Sequence, residues 1–368
     1  MSASQTSPTS SRRAWPAAGL EPVERCPVCD TARRRVLYAG LVDRADRTAP
    51  GVWTLMRCGG CSSAYLDPRP TPDTIELAYR EYYTHVAATA SATGWFRRAL
   101  ANDYRRARWG YGEGPRIPGG RLIPRLAPLR GALVDREIRH LPARPGGRLL
   151  DVGCGNGHFL AQIAALGWRA EGVDPDPAGV AAARAAGLRV RQGTLADFDD
   201  EHAGAFDVVT LSHVIEHLHE PRTELTRIRR LLRPGGLLWI ATPNLEGLGH
   251  RRYGPAWVHL DPPRHLVLFT RDSLEELLRQ TGFAPQPAPA AAPHAFLHLR
   301  GSAAIAEGRL PHEGPSRSAR RLRVVAAVAD RLARRNPKHA DELVSIARTR
   351  PPSGDHSEAM RVPDGTER

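Results

Sequence analysis

The chain has 368 residues and a formal net charge of +13, from 52 Lys and Arg against 39 Asp and Glu. Hydrophobic residues make up 41% and charged residues 25%, which provides for a sizeable core and argues against an intrinsically disordered chain. No apolar run approaches the roughly 18 residues needed to span a bilayer, and the N-terminal Ser/Thr/Pro/Ala stretch lacks the apolar centre of a secretory signal. A cytoplasmic protein with no membrane partner is therefore expected. The positive charge raises nucleic acid as a partner. It is spread along the chain and carried by arginine at every cationic position except Lys338, so a solvated arginine-rich surface is favoured over a nucleic-acid face.

In chain order, residues 1–20 read as a low-complexity, disordered leader. Residues 21–70 carry two cysteine pairs, Cys26/Cys29 and Cys58/Cys61, with short β-type stretches at 35–38 and 52–57. Residues 71–134 read as a helical connector: TPDTIELAYREYY opens on cap residues and has helical apolar spacing, and the Gly/Pro/Arg-rich stretch 110–130 reads as a loop. A main domain is expected over 135–349. Its strands fall at 148–152, 170–173, 188–192, 206–211 and 237–241, with helices at 158–166, 179–186 and 221–232 between them. Such alternation predicts right-handed crossovers and a parallel sheet covered on both faces. A helical insertion over about 300–336 includes a basic helix at 320–334. Residues 342–347 are expected to return as a last strand, and 350–368 form a disordered tail.

The segment Asp151-Val-Gly153-Cys154-Gly155-Asn156-Gly157 joins the first of these strands to a helix. Glycines there allow a sharp turn and close approach of a ligand, and the helix presents free N–H groups. The dinucleotide fingerprint G-x-G-x-x-G fails, because the sixth position counted from Gly153 is His158. A carboxylate at Asp151 would repel a pyrophosphate but favours a ligand carrying a sulfonium and an ammonium, directly or through water. Asp174, past the second strand, is placed to take the two hydroxyls of a ribose.

These pieces resemble the class I S-adenosylmethionine-dependent methyltransferases over residues 135–282. The matching segments are LLDVGCGNGHFL, EGVDPDP, FDVVTLSHVIEHLHEP and IRRLLRPGGLLWIATPN. The resemblance implies an α/β fold: a Rossmann-like, doubly wound, mostly parallel seven-stranded sheet. It implies S-adenosylmethionine as co-substrate, with Gly153, Cys154, Gly155 and Gly157 along the methionine moiety and Asp174 with Pro175 at the ribose. Thr194 and Leu195 fall at the adenine, where many members have an aspartate at the position of Thr194. Ser212 and His213 fall where cofactor and acceptor meet.

Methyl transfer is an in-line displacement at an already activated carbon, so the protein mainly orients two reactants. A base is needed only where the acceptor must lose a proton. Candidates cluster in SHVIEHLHEP: His213, Glu216, His217 and His219, the first three within one helical turn. A second cluster, Tyr253, Trp257, His259, Asp261, Arg264 and His265, follows the fifth strand and resembles a segment that closes over the acceptor site in one methyltransferase subgroup; the alternative is a structural turn, and His265 is its candidate base or hydrogen-bond donor. His213, His217 and His265 are the catalytic candidates.

The two C-x-x-C knuckles are 28 residues apart and suit a closed tetrahedral zinc site formed by Cys26, Cys29, Cys58 and Cys61. The pattern CPVC…RCGGCSSAYLDPRP…YREYY resembles the zinc-ribbon leader of many bacterial methyltransferases, including some acting on sugars and other small metabolites. A small-molecule acceptor, such as a sugar or a natural-product intermediate, is the favoured partner. The alternatives are an RNA methyltransferase that binds its substrate through the ribbon, and a non-catalytic cofactor-binding protein. Asp43 and Asp46 between the knuckles weigh against an RNA anchor.

Overall fold

The computed structural model describes residues 14–80 and 94–350, apart from 199, 288, 290, 291, 293 and 316–318. The expected tail beyond 350, residues 1–13 of the expected leader and residues 81–83 of the expected connector helix lie outside the described residues. No helix among the described residues is long and apolar enough to cross a membrane.

The N-terminal module contains β1 (Leu20–Glu21), β2 (Arg34–Leu41), β3 (Trp53–Cys58), β4 (Ala64–Leu66) and β5 (Arg69–Pro70). β2, β3 and β4 form an antiparallel meander, and β1 pairs with β5. The module begins inside the expected leader. Trp15 is buried edge-on against Trp53, with ring centroids 5.3 Å apart, and its indole N–H donates to the Gly19 carbonyl. The TPDTIELAYREYY segment is not an α-helix over its described part. Only a single 3-10 turn, Ile75–Ala78, forms. The Thr74 hydroxyl donates to the Gly19 carbonyl at 2.8 Å and leaves the turn without a side-chain cap, so tertiary contact overrides local propensity.

The connector contains α1 (Trp95–Trp109), α2 (Ile123–Leu126) and α3 (Pro128–Glu137). The stretch 110–130, expected as a loop, thus contains α2 and the start of α3. Pro128 sits at the first turn of α3, where its missing N–H has no helical partner to lose. Gly120 permits close packing here, since a Cβ on it would fall 2.3 Å from the Tyr104 backbone nitrogen.

The main domain runs β6 (Arg148–Val152), α4 (His158–Ala164), β7 (Arg169–Asp174), α5 (Pro177–Ala185), β8 (Arg189–Gln192), β9 (Phe206–Ser212), α6 (Pro221–Leu231), β10 (Leu232–Pro243), α7 (Leu248–Tyr253), β11 (Val267–Leu268), α8 (Arg271–Gln280), β12 (Phe283–Pro285), α9 (Ala295–Ala306), α10 (Ala319–Arg335) and β13 (Glu342–Thr349). Seven strands form one sheet in the order β12-β13-β10-β9-β6-β7-β8. β6 to β10 are mutually parallel, and β13 returns antiparallel between β10 and β12. The central strands β6, β9 and β10 feed apolar side chains to both faces with period two. Leu149, Val208 and Trp239 pack on one face, and Leu150, Val209 and Leu238 on the other. The second cluster continues into the N-terminal module through Trp53, Leu55 and Cys26, so the two parts share one core.

β11 joins the ribbon's sheet, not the main one. It pairs antiparallel with β4 (Val267 with Tyr65, Leu268 with Ala64) to complete the order β11-β4-β3-β2.

Candidate active site

The glycine turn lies beyond the carboxyl ends of the parallel strands, where open α/β sheets bind ligands. Gly153, Gly155 and Gly157 all have positive φ (68°, 51° and 77°). Their surroundings differ. A Cβ on Gly157 would fall 2.4 Å from Leu188, whereas one on Gly155 would meet nothing within 4 Å, which leaves its face open to a ligand. The Asp174 carboxylate accepts from the Gly155 N–H at 2.7 Å and the Asp176 N–H at 2.9 Å. Burial raises its pKa, and these backbone N–H groups oppose the rise. Pro175 follows it at the strand's end. Asp174 therefore braces the turn and sits where the ribose is expected. Thr194 is an N-cap, and its own N–H donates to Asp197 at 2.6 Å; Leu195 is buried behind it.

Two expected cofactor residues turn inward. The Cys154 thiol is buried and pushed up by burial, and it packs so tightly on Gly172 that a Cβ there would lie 2.5 Å from its Sγ. Only its backbone faces the turn. Asp151 is 1% exposed, and its carboxylate is held by Arg139 and by the Thr210 hydroxyl at 2.9 Å. Direct contact with a sulfonium is thereby replaced by support of the strand that leads into the turn. The Arg139 guanidinium also stacks 3.6 Å above the Phe159 ring.

At the ends of β9 and β10 the expected histidines come together, but with different roles. His213 has φ 55° and is clamped between two carboxylates: Nδ1 lies 3.2 Å from Glu216 Oε1, and Nε2 lies 2.9 Å from Glu342 Oε2. Burial works against its charge, yet contacts with Glu216 and Glu342 prevail and raise its pKa to about 10. It is a fixed cation at neutral pH and a poor base, which corrects its expected catalytic role. Glu342 is in turn held by Arg136 through two 2.9 Å contacts, and Arg136 also reaches the Ser212 hydroxyl at 3.4 Å.

His217 and His265 are oriented differently. His217 Nδ1 lies 2.9 Å from the Arg264 carbonyl and 2.9 Å from the Tyr79 hydroxyl. His265 Nδ1 lies 2.8 Å from the His259 carbonyl. A carbonyl only accepts, so each Nδ1 carries a hydrogen, and in the neutral ring it is Nε2 that has the lone pair. Burial first, then the neighbouring His265, lowers the His217 pKa to about 4. The two rings meet edge to face, with centroids 4.7 Å apart. Glu216 is fully buried behind them, and its Oε2 accepts from the Thr242 hydroxyl at 2.9 Å. His219 points away and bonds the Pro70 carbonyl of the ribbon.

The expected lid segment is built in rather than free. Arg264, with no exposed surface, reaches Asp261 at 2.8 Å, Asp43 at 2.9 Å, Asp46 at 3.0 Å and the Ala78 carbonyl at 2.9 Å. Asp43 and Asp46 are therefore structural partners of this segment. Trp257 is buried in the shared core, and Tyr253 packs against it. His259 stacks parallel to His213 and meets His298 of α9 edge-on at 4.4 Å. Sequence reasoning missed Tyr79, Arg136, Arg139, His298 and the role of Glu342. Tyr79 opens the YREYY segment but had no role assigned to it; the others lie in no local motif, and only the fold brings them to the site.

The four cysteines of the ribbon converge. Cys26 and Cys61 sulfurs are 3.7 Å apart, Cys29 and Cys58 sulfurs 3.5 Å, and all four lie within 4.8 Å of one another. Thiolates on one tetrahedral zinc, with bonds of about 2.3 Å, lie about 3.8 Å apart. The N–H groups of Gly60 and Cys61 point at Cys58 Sγ, as expected for a knuckle whose sulfur carries negative charge. The donor set fits a structural zinc, and no thiol is paired in a disulfide.

Comparison with known proteins agrees with this geometry. A family model described as a methyltransferase domain matches residues 126–287. The "Ubiquinone biosynthesis O-methyltransferase" of Xanthomonas oryzae is 34% identical over 152 residues, covering 40% of this chain and 58% of the relative. The protein of the same name from Cereibacter sphaeroides is 33% identical over 165 residues, covering 41% of this chain and 66% of its own. The chain thus spans little more than half the length of the first of these relatives. Among solved structures, an S-adenosylmethionine-dependent methyltransferase from Mesorhizobium loti is 19% identical with a TM-score of 0.40, covering 60% of this chain and 99% of that one. Residues 126–287, which carry the glycine turn and the parallel strands, are thus the part of this chain that is similar to a methyltransferase domain.

Proposed function

We propose that the protein transfers a methyl group from S-adenosylmethionine to a hydroxyl oxygen of a small-molecule acceptor. The observation that carries this reading is the placement of two halves at one sheet edge. Gly155 and Asp174 form an open cofactor cradle at the ends of β6 and β7. Glu216, His217 and His265 form a buried polar group past the ends of β9 and β10. The relatives' name, an O-methyltransferase of ubiquinone biosynthesis, supports oxygen as the acceptor atom. The tethered segment around Arg264 and helix α9 wall the acceptor side, which suits a small molecule better than a polymer.

In the transfer, a lone pair on the acceptor oxygen attacks the methyl carbon. The C–S bond breaks with its electron pair going to sulfur, and the hydroxyl proton passes to Nε2 of the neutral His265 ring, whose Nδ1–H is held by the His259 carbonyl. His213, held as a cation, donates its hydrogen bonds to Glu216 and Glu342 and fixes their carboxylates. Cys26, Cys29, Cys58 and Cys61 would hold a structural zinc, which supplies no chemistry to the transfer and keeps the ribbon folded under the acceptor wall. Thiols kept for a metal fit a reducing compartment such as the cytoplasm.

Calorimetric titration with S-adenosylmethionine tests the cofactor half. Asp174→Ala removes a carboxylate expected to accept the ribose hydroxyls, and affinity should fall about 10- to 100-fold for a lost charged hydrogen bond. If neither protein gains heat from the cofactor, or both bind it equally, the assignment fails. A methyl-transfer assay with hydroxylated acceptors tests the other half.

A further inference from the structure

We infer that the surface formed by α1, α2 and the start of α3 docks on an anionic lipid bilayer, lying on it without crossing it. Arginines are spread along the whole chain, but the balance of charge is not. Residues 94–130 hold nine arginines against two acids, Asp103 and Glu113, which leaves +7 of the chain's +13 in this one segment. Arg105 and Arg108 pair with Glu137 and Asp135. Arg97, Arg98, Arg121, Arg125 and Arg130 are exposed and have no ion-pair partner among the described residues.

The same segment is studded with apolar side chains that face out. Trp95 is 59% exposed, Phe96 60% and Leu126 79%, and Leu122 and Leu129 are exposed beside them. These are five of the eleven exposed large apolar side chains among the described residues, a cluster and not the scatter that is ordinary on a protein surface. The backbone brings them to one side of the molecule. Phe96 and Leu100 lie one turn apart on α1, Leu100 reaches Gly119, and the Ile117 N–H donates to the Ala99 carbonyl at 3.4 Å. Leu122 and Leu126 are one turn apart, while Ile123 between them is buried against Gly131. Ile123 and Tyr104 thus face the interior, and the leucines are left outside.

The chemistry of the surface selects its occupant. A second copy of the chain would bring the same +7 and be repelled. Nucleic acid answers the arginines and stacks on Trp95 and Phe96, but the three leucines offer no flat face to a base. A bilayer with anionic headgroups answers both features: the arginines meet phosphates, and Trp, Phe and Leu enter the boundary with the acyl chains. Surface docking needs no spanning helix, and none occurs among the described residues. Helix α3 begins on this surface at Leu129. Seven residues on, about 10 Å along the helix, Arg136 holds Glu342 of the active site. Docking therefore sets the acceptor side of the sheet beside the membrane, whatever the acceptor is.

The test uses the full chain, purified with zinc, and two kinds of vesicle: phosphatidylcholine alone, and equal parts of phosphatidylcholine and phosphatidylglycerol. Co-sedimentation reads the binding. The chain should sediment with the anionic vesicles and stay in solution with the neutral ones, and added salt should weaken the binding. Arg121→Gln combined with Arg125→Gln should weaken it about 25-fold, from about fivefold per arginine near an anionic surface. Trp95→Ser combined with Leu126→Ser should weaken it about tenfold or more. All four side chains are exposed, so the melting transition should not move. Arg331→Gln combined with Arg335→Gln, in the basic helix α10, should leave binding nearly unchanged. Wild-type protein that ignores anionic vesicles overturns the inference. So does equal binding by the Trp95/Leu126 variant, which would reduce the contact to ion attraction. A loss in the α10 variant as large as in the Arg121/Arg125 variant would make it a general charge effect and overturn the assignment to this surface. Binding to single-stranded RNA without binding to vesicles would give the surface to nucleic acid instead.

Discussion

Replacing Arg139 with methionine should destabilise the protein by about 3–5 kcal/mol, the range for stranding one member of a buried ion pair. The structure gives the terms. Arg139 is 7% exposed and Asp151 1%, so neither charge can turn to water. With the guanidinium gone, the Thr210 hydroxyl at 2.9 Å is the remaining hydrogen-bond donor to the Asp151 side chain. Methionine has similar length and keeps much of the packing on Phe159, so the loss is mainly electrostatic. Adding Asp151→Asn removes the stranded charge and should recover most of the stability, because a neutral amide can still bond Thr210. Urea denaturation followed by tryptophan fluorescence measures both variants. A single-variant loss under about 1 kcal/mol would put the pair in the range of exposed salt bridges and refute the argument. A double variant no better than the single would do the same.

His140 predicts an acid-sensitive stability. It is buried, accepts from the Trp239 indole at 3.4 Å, and burial followed by Arg136 holds its pKa at about 4, below the usual 6.5. The folded state keeps it neutral while the unfolded chain takes up a proton below pH 6.5. The contribution is therefore complete above 6.5 and falls away towards pH 4, by about 3 kcal/mol at the limit. His140→Asn keeps an acceptor, tolerates the positive φ of 56° and does not titrate. Its stability should drop less than the wild type's between pH 7 and 4.5, and identical profiles would refute the assignment. Stripping the ribbon with a chelator should lower the melting temperature of the whole chain rather than unfold a detached module, because Cys26, Trp53 and Leu55 share a core with Leu150 and Leu238. Calorimetry that shows an unshifted main transition would contradict that shared core.

The parallel strands were legible because β6, β7 and β10 are short runs closed by glycine or proline and β9 is strongly apolar, and their observed bounds fall within a few residues of expectation apart from an earlier start to β10 at Leu232. Cys26, Cys29, Cys58 and Cys61 were legible because metal spacing is local. The errors share a cause. Thr74 spends its hydroxyl on a partner 55 residues away, and Gly120 packs against a helix that its own sequence window does not contain. His213 looked like a base because its partner Glu342 lies 129 residues on, and no spacing rule links them. Asp151 appeared available to a ligand for the same reason: Arg139 sits in a stretch with no motif. Local chemistry could be read from the chain, whereas protonation states depended on partners that only the fold supplies.

The pairing of β4 with β11 also constrains how the chain is made. Tyr65 and Val267 are neighbours in one sheet but 202 positions apart in synthesis. At roughly 5–20 residues per second, the edge of β4 waits about 10–40 s for its partner to leave the ribosome. An unpaired apolar edge invites pairing with other chains. Zinc captured by Cys26, Cys29, Cys58 and Cys61 would fold the early meander and shorten that exposure, while β11 remains the last strand of the ribbon to arrive. Translation that outpaces metal supply should therefore show first as aggregation of nascent chains, before any loss in the activity of finished molecules.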